Sequence, residues 1–361
     1  YSDLADDMYE MIYRWLGRIK GGLAAGTVVI SSIFAAMVGV TSVATMTLGV
    51  TARPSMLKRG YDDGLTSGII MAGGNLGILI PPSVLAIIFA MVAEVSAGKL
   101  FMAGLIPGLI MAVILIVYTL IISNLDPKRR AALEIGEHFT WKEKLSSLKN
   151  VVLPMLVMVM VIGSIFLGIA TPTEAAAFGV VGSLIAAGIK RKLYWENIKN
   201  MFSMTVNLMT MILWLFLGAV AFSRVVQSTG VGTAFAGIIA DMNLDRWTVL
   251  IGMFILLIVM GMFIDGMAIL FITAPVFFPL LDVLQVDLIW FGVLYIIFMC
   301  IGNMTPPFGM SFFLLKGVAP EINMGSLYKA VLPFILLYLL LVAIVCIFPQ
   351  LVLWLPDTMI E

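Results

Sequence analysis

Oxygen-bearing residues recur where long apolar stretches of this sequence are interrupted. Two interruptions are proline pairs with the same spacing, in Gly77-Ile-Leu-Ile-Pro-Pro and in Gly302-Asn-Met-Thr-Pro-Pro. Because proline lacks an N–H and clashes with the carbonyl four residues earlier, a helix breaks there and main-chain oxygens lose their helical partners. Carbonyl, hydroxyl and carboxylate oxygens are the ligands that hard cations prefer. We therefore expect these breaks to bind ions, and not to make or break covalent bonds.

The two breaks are 225 residues apart, and the same offset relates other residues of the two halves. The matched pairs include Pro54 with Pro279, Asp62 with Asp287, and Gly77 with Gly302. Chance matching of common helix-breaking residues explains poorly why so many pairs share one register. The sequence thus predicts an internal repeat. Three helices before the second hairpin have no counterpart in the first half, so we expect roughly 75 further residues before Tyr1 in the native subunit.

Composition sets the class of protein. Of the 361 residues, 61% are hydrophobic and only 12% are charged, and the mean hydropathy is +1.10. Apolar runs of more than 18 residues predict an all-α polytopic protein of the lipid bilayer. A formal net charge of zero gives no indication of a nucleic-acid partner. The sequence has no His-Glu-x-x-His or Gly-x-Ser-x-Gly motif and a single histidine, His138, in a polar segment, so neither an enzyme nor a cofactor is expected.

The segments of the first half are predicted in chain order. They are an interfacial helix at 1–20, a re-entrant hairpin at 22–58, a broken helix at 67–92 and a full helix at 101–122, which together form a first repeat at 1–122. Each arm of the hairpin is too short to span a bilayer, which needs about 20 residues. A polar segment at 123–150 follows, with six Lys or Arg residues, and is predicted to be a cytoplasmic loop.

The second repeat is predicted at 151–361. Its segments are scaffold helices at 151–226, an interfacial helix at 227–246, a hairpin at 247–284, a broken helix at 287–318 and a last helix at 330–354. The base of the first hairpin is basic and that of the second is acidic, so the positive-inside rule gives the two repeats opposite orientations. Inverted repeats with broken helices are typical of secondary transporters, whose site lies at the middle of the membrane.

Several motifs together resemble one family of such transporters. They are Gly168-Ile-Ala-Thr-Pro-Thr-Glu-Ala-Ala-Ala-Phe-Gly179, Gly77-x-x-x-Pro-Pro-Ser83, Phe263-Ile-Asp265 and Gly302-x-x-Thr305-Pro-Pro. They look like the large membrane subunit of tripartite ATP-independent periplasmic (TRAP) transporters, over essentially the whole chain. The resemblance implies a multi-pass protein of the inner membrane of a bacterium or archaeon. It also implies a sodium-coupled importer of a small organic anion (a carboxylate, sugar acid or sulfonate) with an elevator mechanism, in which a transport domain moves past a scaffold. The implied partners are a periplasmic solute-binding protein and a small four-helix membrane subunit.

With sodium as the implied coupling ion, the oxygens of the hairpin tips and breaks become candidate ligands. The candidate sodium residues are Gly39, Thr41, Ser42, Thr45, Gly77, Pro81, Asp265, Gly266, Met267, Gly302, Asn303, Thr305 and Pro306. The candidate solute residues are Thr45, Asn75, Pro82, Ser83, Asp265 and Pro307. At the first tip, Val40-Thr41-Ser42 replaces the Gly/Ser-rich run that the family leads one to expect.

Two alternatives stay open. Asp265 is the one carboxylate placed at a hairpin tip and is expected to act at the coupling site, but it could also cap the helix that follows, and both roles can coexist. A related sodium/carboxylate symporter or antiporter that needs no binding protein would share the same plan of hairpins and broken helices. In either case the tips should face the breaks, with Gly77 near Thr41 and Ser42, and Gly302 near Asp265 and Gly266.

Overall fold

The computed structural model describes residues 11–16, 21–125, 140–189, 191, 193–230, 234, 237, 241–242 and 244–359. Within these residues the chain is helical and contains no strand. The predicted all-α class is therefore confirmed for this part of the chain. The predicted interfacial helices at 1–20 and 227–246, and His138, lie wholly or partly outside it. Residues 11–16 form a helical segment ahead of the first full helix.

The helices that follow are numbered here in chain order. They are α1 (Gly22–Val38), α2 (Thr41–Lys58), α3 (Asp63–Leu79), α4 (Val84–Val92), α5 (Ala97–Leu125), α6 (Trp141–Phe166), α7 (Pro172–Ile189), α8 (Trp195–Thr229), α9 (Arg246–Gly261), α10 (Gly266–Val283), α11 (Leu288–Met304), α12 (Met310–Val318), α13 (Met324–Ile347) and α14 (Gln350–Asp357). The pairs α1–α2 and α9–α10 occupy the two predicted hairpin regions.

Both proline pairs interrupt a helix. The first lies between α3 and α4, whose axes differ by 41°, and the second lies between α11 and α12. The Pro81–Pro82 and Pro306–Pro307 peptide bonds are both cis. Capping side chains fix where the helices restart: Ser83 accepts from the backbone N–H of Ala86 at the start of α4, and Asp62 accepts from that of Leu65 at the start of α3.

Several helices match the thickness of a membrane. Among the described residues, five helices are long and apolar enough to cross it, or six spans if the bent pair α3–α4 counts as one. The five are α5, α7, α8 over Trp195–Val226, α10 and α13. This agrees with the multi-pass membrane class that the composition predicts.

The core is formed where α3 and α11 pack against each other. Both helices are buried along almost their whole length. The two arms of the first hairpin, α1 and α2, pack on α3, and α9 packs on α11. Close approach on α3 depends on a glycine pair: a Cβ at Gly73 would overlap Ser31 of α1, and one at Gly74 would overlap the Thr45 hydroxyl of α2. At these two glycines, both arms of the first hairpin pack directly against the backbone of α3.

An ion-pair cluster holds the base of the first hairpin. Arg53 of α2 is buried, and its Nε and Nη2 atoms donate to the Asp63 carboxylate at 3.0 and 3.1 Å. Its Nη1 donates to Glu321, in the turn after α12. Arg53 thus links the hairpin to both broken helices, through the start of the first and the end of the second.

The structure differs from the sequence-based boundaries at two places. The predicted loop at 123–150 overlaps a helix at each end, because α5 continues to Leu125 and α6 starts at Trp141. A capping box, in which Thr140 and Glu143 satisfy each other's backbone N–H groups, starts α6 within the polar segment. The predicted last helix at 330–354 is divided into α13 and α14 around Pro349, whose missing N–H favours a helix start.

Candidate ion and solute site at the helix breaks

The tip of the first hairpin rests on the first helix break. The chain turns at Gly39, which has a φ of +67°. The Gly39 carbonyl accepts a hydrogen bond from the backbone N–H of Val84 at 3.3 Å. A Cβ at Gly39 would lie 2.5 Å from the Pro82 carbonyl oxygen. Both the positive φ and the close contact require glycine at this position.

Two threonines just behind this tip have hydroxyls without partners. Thr41 and Thr45 lie one turn apart on α2 and are 5% and 0% exposed. Neither hydroxyl oxygen has a hydrogen-bond partner among the described residues. Helical threonines usually donate to the carbonyl four residues earlier, as Thr27 does to Leu23 at 2.8 Å. A buried hydroxyl without a partner costs about 1–3 kcal/mol, so Thr41 and Thr45 are suited to a ligand that binds oxygen.

The tip of the second hairpin presents a carboxylate. Asp265 caps α10, with its Oδ2 accepting from the backbone N–H of Met267 at 2.9 Å. Among the described residues, Oδ1 accepts no hydrogen bond and Asp265 forms no ion pair. The carboxylate is half-buried. The capping role is therefore present in the structure, and it leaves one oxygen and the full negative charge available to a cation.

Residues 82–85, at the first break, connect the two hairpin tips. Gly39 of the first tip contacts Pro82 and Val84, and a Cβ at Gly266 of the second tip would lie 3.4 Å from the Leu85 side chain. The Gly266 carbonyl also accepts from the Tyr295 hydroxyl of α11 at 2.7 Å. The first break thus lies against both hairpin tips, at Gly39 and at Gly266.

The second tip also contacts the second break. The Phe263 ring packs against the Phe308 ring, with centroids 5.5 Å apart. Phe308 directly follows the second proline pair, whose Pro306 is half-buried and whose Pro307 is exposed. Each proline pair therefore has a hairpin tip beside it.

A buried amide network joins the two broken helices. The Asn75 Nδ2 of α3 donates to the Met71 carbonyl at 2.9 Å and to the Ser311 hydroxyl of α12 at 3.0 Å. Its Oδ1 accepts from Nδ2 of Asn303 on α11 at 3.4 Å. The Cys300 thiol donates to the Asn75 carbonyl at 3.3 Å. These amides hold the helices together just below the breaks.

Two hydroxyl groups at the breaks already donate hydrogen bonds to backbone carbonyls there. The Ser83 hydroxyl donates to the Ile78 carbonyl at 2.7 Å, and the Thr305 hydroxyl donates to the Ile301 carbonyl at 2.6 Å. Since each hydroxyl spends its hydrogen in this bond, only an oxygen lone pair could bind a cation, and one lone pair of Ser83 already accepts from the Ala86 N–H.

On the second broken helix, Gly302 lies against Gly261, a few residues before the expected Gly266. A Cβ at Gly302 would lie 2.7 Å from the Cα of Gly261, at the end of α9, and Gly266 is covered by Met299 instead. On α3, Gly74 lies against the hairpin arm through Thr45, and the expected approach of Gly77 to Thr41 and Ser42 stays a prediction. The helices approach at these positions because a glycine on one side, or on both, removes the side chain that would separate them.

Comparison with known families identifies the chain. The sequence model of the family described as "Tripartite ATP-independent periplasmic transporter, DctM component" matches residues 2–351. The chain belongs to the DctM family of TRAP transporters. It is therefore a transporter permease and not an enzyme.

Curated relatives of this DctM-family permease resemble it over almost the whole chain. The C4-dicarboxylate TRAP transporter large permease protein DctM of Pseudomonas aeruginosa is 32% identical over 95% of this chain and 79% of its own length. The isethionate TRAP transporter permease protein DctMQ of Oleidesulfovibrio alaskensis is 30% identical over 96% of this chain and 53% of its own length. A solved structure, the YdaH transporter of Alcanivorax borkumensis, is similar in fold, with a TM-score of 0.67 at 16% identity, over 97% of this chain and 84% of that one.

Sequence reasoning did not find three groups that shape the permease site. Ser311 completes the amide network, Tyr295 bonds to the second tip, and Cys300 donates to the Asn75 carbonyl. A tyrosine inside a fully apolar run is a usable signal, because its buried hydroxyl must find a partner. No comparable signal marks Ser311, whose partner lies 236 residues away.

Proposed function

We propose that this permease is a sodium-coupled importer of a small organic anion, working in the inner membrane of a bacterium or archaeon. The observation that carries the proposal is the contact of residues 82–85 with both hairpin tips. One tip is followed by two buried hydroxyls without partners, and the other carries a carboxylate with a free oxygen. Hydroxyl, carbonyl and carboxylate oxygens form a ligand set suited to a hard cation such as Na⁺.

The charge of Asp265 explains why an ion should accompany the solute. An anion bound beside this carboxylate would be repelled, by about 4 kcal/mol for unit charges at 4 Å and an effective dielectric constant of 20. Sodium ions at the tips would offset this repulsion, so solute and sodium would bind together. Ion coupling then follows from electrostatics at the site.

The solute class rests on the relatives and on the chemistry of the breaks. The two relatives described above are named for a C4-dicarboxylate and for isethionate, a sulfonate, both of them anions. Here the candidate solute residues offer donors and acceptors without a fixed positive charge: Thr45, Asn75, Pro82, Ser83, Asp265 and Pro307. A carboxylate, a sugar acid or a sulfonate could accept a hydrogen bond from the Thr45 hydroxyl, which has no partner, with sodium as the counterion.

An elevator movement is proposed from the way the helices are grouped. Both hairpins pack on the broken helices, and the second hairpin also packs on α8 through α10, whereas α7 and α8 otherwise carry mostly exposed apolar side chains. We infer that α6 to α8 belong to the scaffold and that the hairpins and broken helices carry the solute past it. A periplasmic solute-binding protein would deliver the solute, and a small membrane subunit would complete the scaffold.

Uptake by proteoliposomes tests the proposal. The full permease, with its small subunit and cognate binding protein, should accumulate labelled solute only when a sodium gradient points inward. Uptake that continues after sodium is replaced by potassium would remove sodium from the mechanism. Uptake that continues without the binding protein would favour a stand-alone sodium/carboxylate symporter or antiporter.

A further inference from the structure

Three segments meet at a second polar surface, away from the helix breaks. The Trp15 Nε1–H donates to the Lys144 carbonyl at 3.1 Å, and the Trp15 and Trp141 rings lie edge to face with centroids 6.2 Å apart. The Arg59 guanidinium lies 4.0 Å above the Tyr13 ring. We call residues 13–15, 58–59 and 141–144 the basic–aromatic joint. It connects the helical segment 11–16, the end of α2 and the start of α6.

The joint carries a surplus of positive charge. Its basic residues are Arg14, Lys58, Arg59, Lys142 and Lys144. Its one acidic residue is Glu143, so the formal charge is five minus one, or +4. The Glu143 carboxylate is already bonded to the backbone N–H and the hydroxyl of Thr140, at 2.7 and 2.8 Å. The two acidic residues that follow Arg59 are also engaged, because Asp62 caps α3 and Asp63 pairs with Arg53.

An exposed apolar stripe runs along α6 from this joint. Trp141, Leu145, Val152 and Leu156 are 73%, 57%, 57% and 59% exposed. Their spacing of four, seven and four residues puts them on one face of the helix. The indole of Trp141 is the kind of ring found at the level of lipid headgroups, and the stripe continues from it into the apolar part of α6.

We propose that the basic–aromatic joint binds the headgroup of an anionic phospholipid, whose acyl chain lies along the apolar stripe of α6. The negative charge of the lipid phosphate balances part of the positive charge of the joint. The exposed Lys58 and Lys142 are its direct partners. Lys58 is at the end of α2, in the first hairpin, and Lys142 is at the start of α6. The bound lipid therefore connects the base of the first hairpin to α6 and fixes the distance between them.

Native mass spectrometry of the full permease with its small subunit tests this site. The probe is phosphatidylglycerol, and phosphatidylcholine of the same chain length is the reference lipid. A lysine beside anionic lipid contributes about fivefold to affinity, so the double variant Lys58→Gln/Lys142→Gln should bind phosphatidylglycerol about 25-fold more weakly. The matched control Lys199→Gln/Lys329→Gln replaces two exposed lysines of α8 and α13 and should retain wild-type binding.

Three outcomes would overturn the proposal. Equal retention of phosphatidylcholine and phosphatidylglycerol would show that the headgroup charge is not recognised. An equal loss of phosphatidylglycerol binding in the joint and control variants would show that only the net charge of the protein matters. Displacement of the lipid by millimolar inorganic phosphate would make the ligand a free anion. Thermal unfolding of the joint variant in phosphatidylcholine nanodiscs should match the wild type, because both lysines are exposed.

Discussion

The Cys300 thiol donates a hydrogen bond to the backbone carbonyl of Asn75 at 3.3 Å, across a separation of 225 residues. This is the same offset that separates the two proline pairs. Residues at equivalent positions of two repeats meet only near the axis that relates the repeats, so this contact is the one expected if the predicted repeat is centred where α3 and α11 pack. The same location holds Asn303 and Ser311, and it lies directly behind the two helix breaks.

Replacing Asp265 with Asn should weaken sodium coupling and leave the fold intact. The amide oxygen can still cap α10, but the charge that offsets a bound cation is lost. A charge–charge term of a few kcal/mol predicts a rise of about a hundredfold in the sodium concentration needed for half-maximal uptake. The control is Asp287→Asn, because Asp287 also caps a helix, α11, and lies far from the tip. Equal sodium dependence in the wild type and both variants would exclude Asp265 from the coupling site.

Replacing Thr45 with Val should affect ion binding more than stability. The Thr45 hydroxyl has no partner, so its removal costs no hydrogen bond and relieves a buried unpaired group. We expect an unfolding midpoint equal to or above that of the wild type and a roughly fivefold loss of sodium affinity, since one net hydrogen bond or ligand contact is worth about 1 kcal/mol. Thr27→Val is the opposite case, because its hydroxyl donates to Leu23: stability should fall and sodium affinity should not. If Thr45→Val destabilised the protein without changing sodium affinity, Thr45 would be a packing residue only.

Replacing Gly302 with Ala should destabilise the centre of the protein. The added methyl group would lie 2.7 Å from the Gly261 Cα, and backbone cannot move aside as a flexible side chain can. Overpacking of this kind costs about 1–3 kcal/mol. Gly252→Ala, on the same helix α9 as Gly261, meets no atom within 4 Å and should be neutral or slightly stabilising. Thermal unfolding in nanodiscs compares the two, and equal midpoints would contradict the close contact of α9 with α11.

Local chemistry made some features of this permease predictable from its sequence. Proline breaks helices by its own geometry, so the interruptions at Pro81 and Pro306 followed from the residue type alone. Contacts between distant helices did not follow. Whether Gly302 meets Gly261 or Gly266 depends on how α9 and α11 pack, and the partner of Ser311 depends on the approach of α3 to α12. The start of α6 was missed for a different reason: its capping box lies in a polar segment that composition alone assigns to a loop.

Replacing Arg53 with Lys should loosen the base of the first hairpin. The guanidinium of Arg53 makes two parallel hydrogen bonds to Asp63 and a third to Glu321, which a single ammonium group cannot reproduce in the same geometry. Removing these bonds from a buried position should cost about 1–3 kcal/mol of stability. It should also increase amide hydrogen exchange along α2, because the link from this hairpin to both broken helices is weakened. Arg246→Lys, an exposed residue at the start of α9, is the matched control and should change neither quantity. Double-mutant cycles with Glu321→Gln then separate the contributions of the Asp63 and Glu321 carboxylates to stability. If the effects of Arg53→Lys and Glu321→Gln on stability were fully additive, Glu321 would not be coupled to the Arg53 guanidinium, which would contradict its role in holding the base of the hairpin.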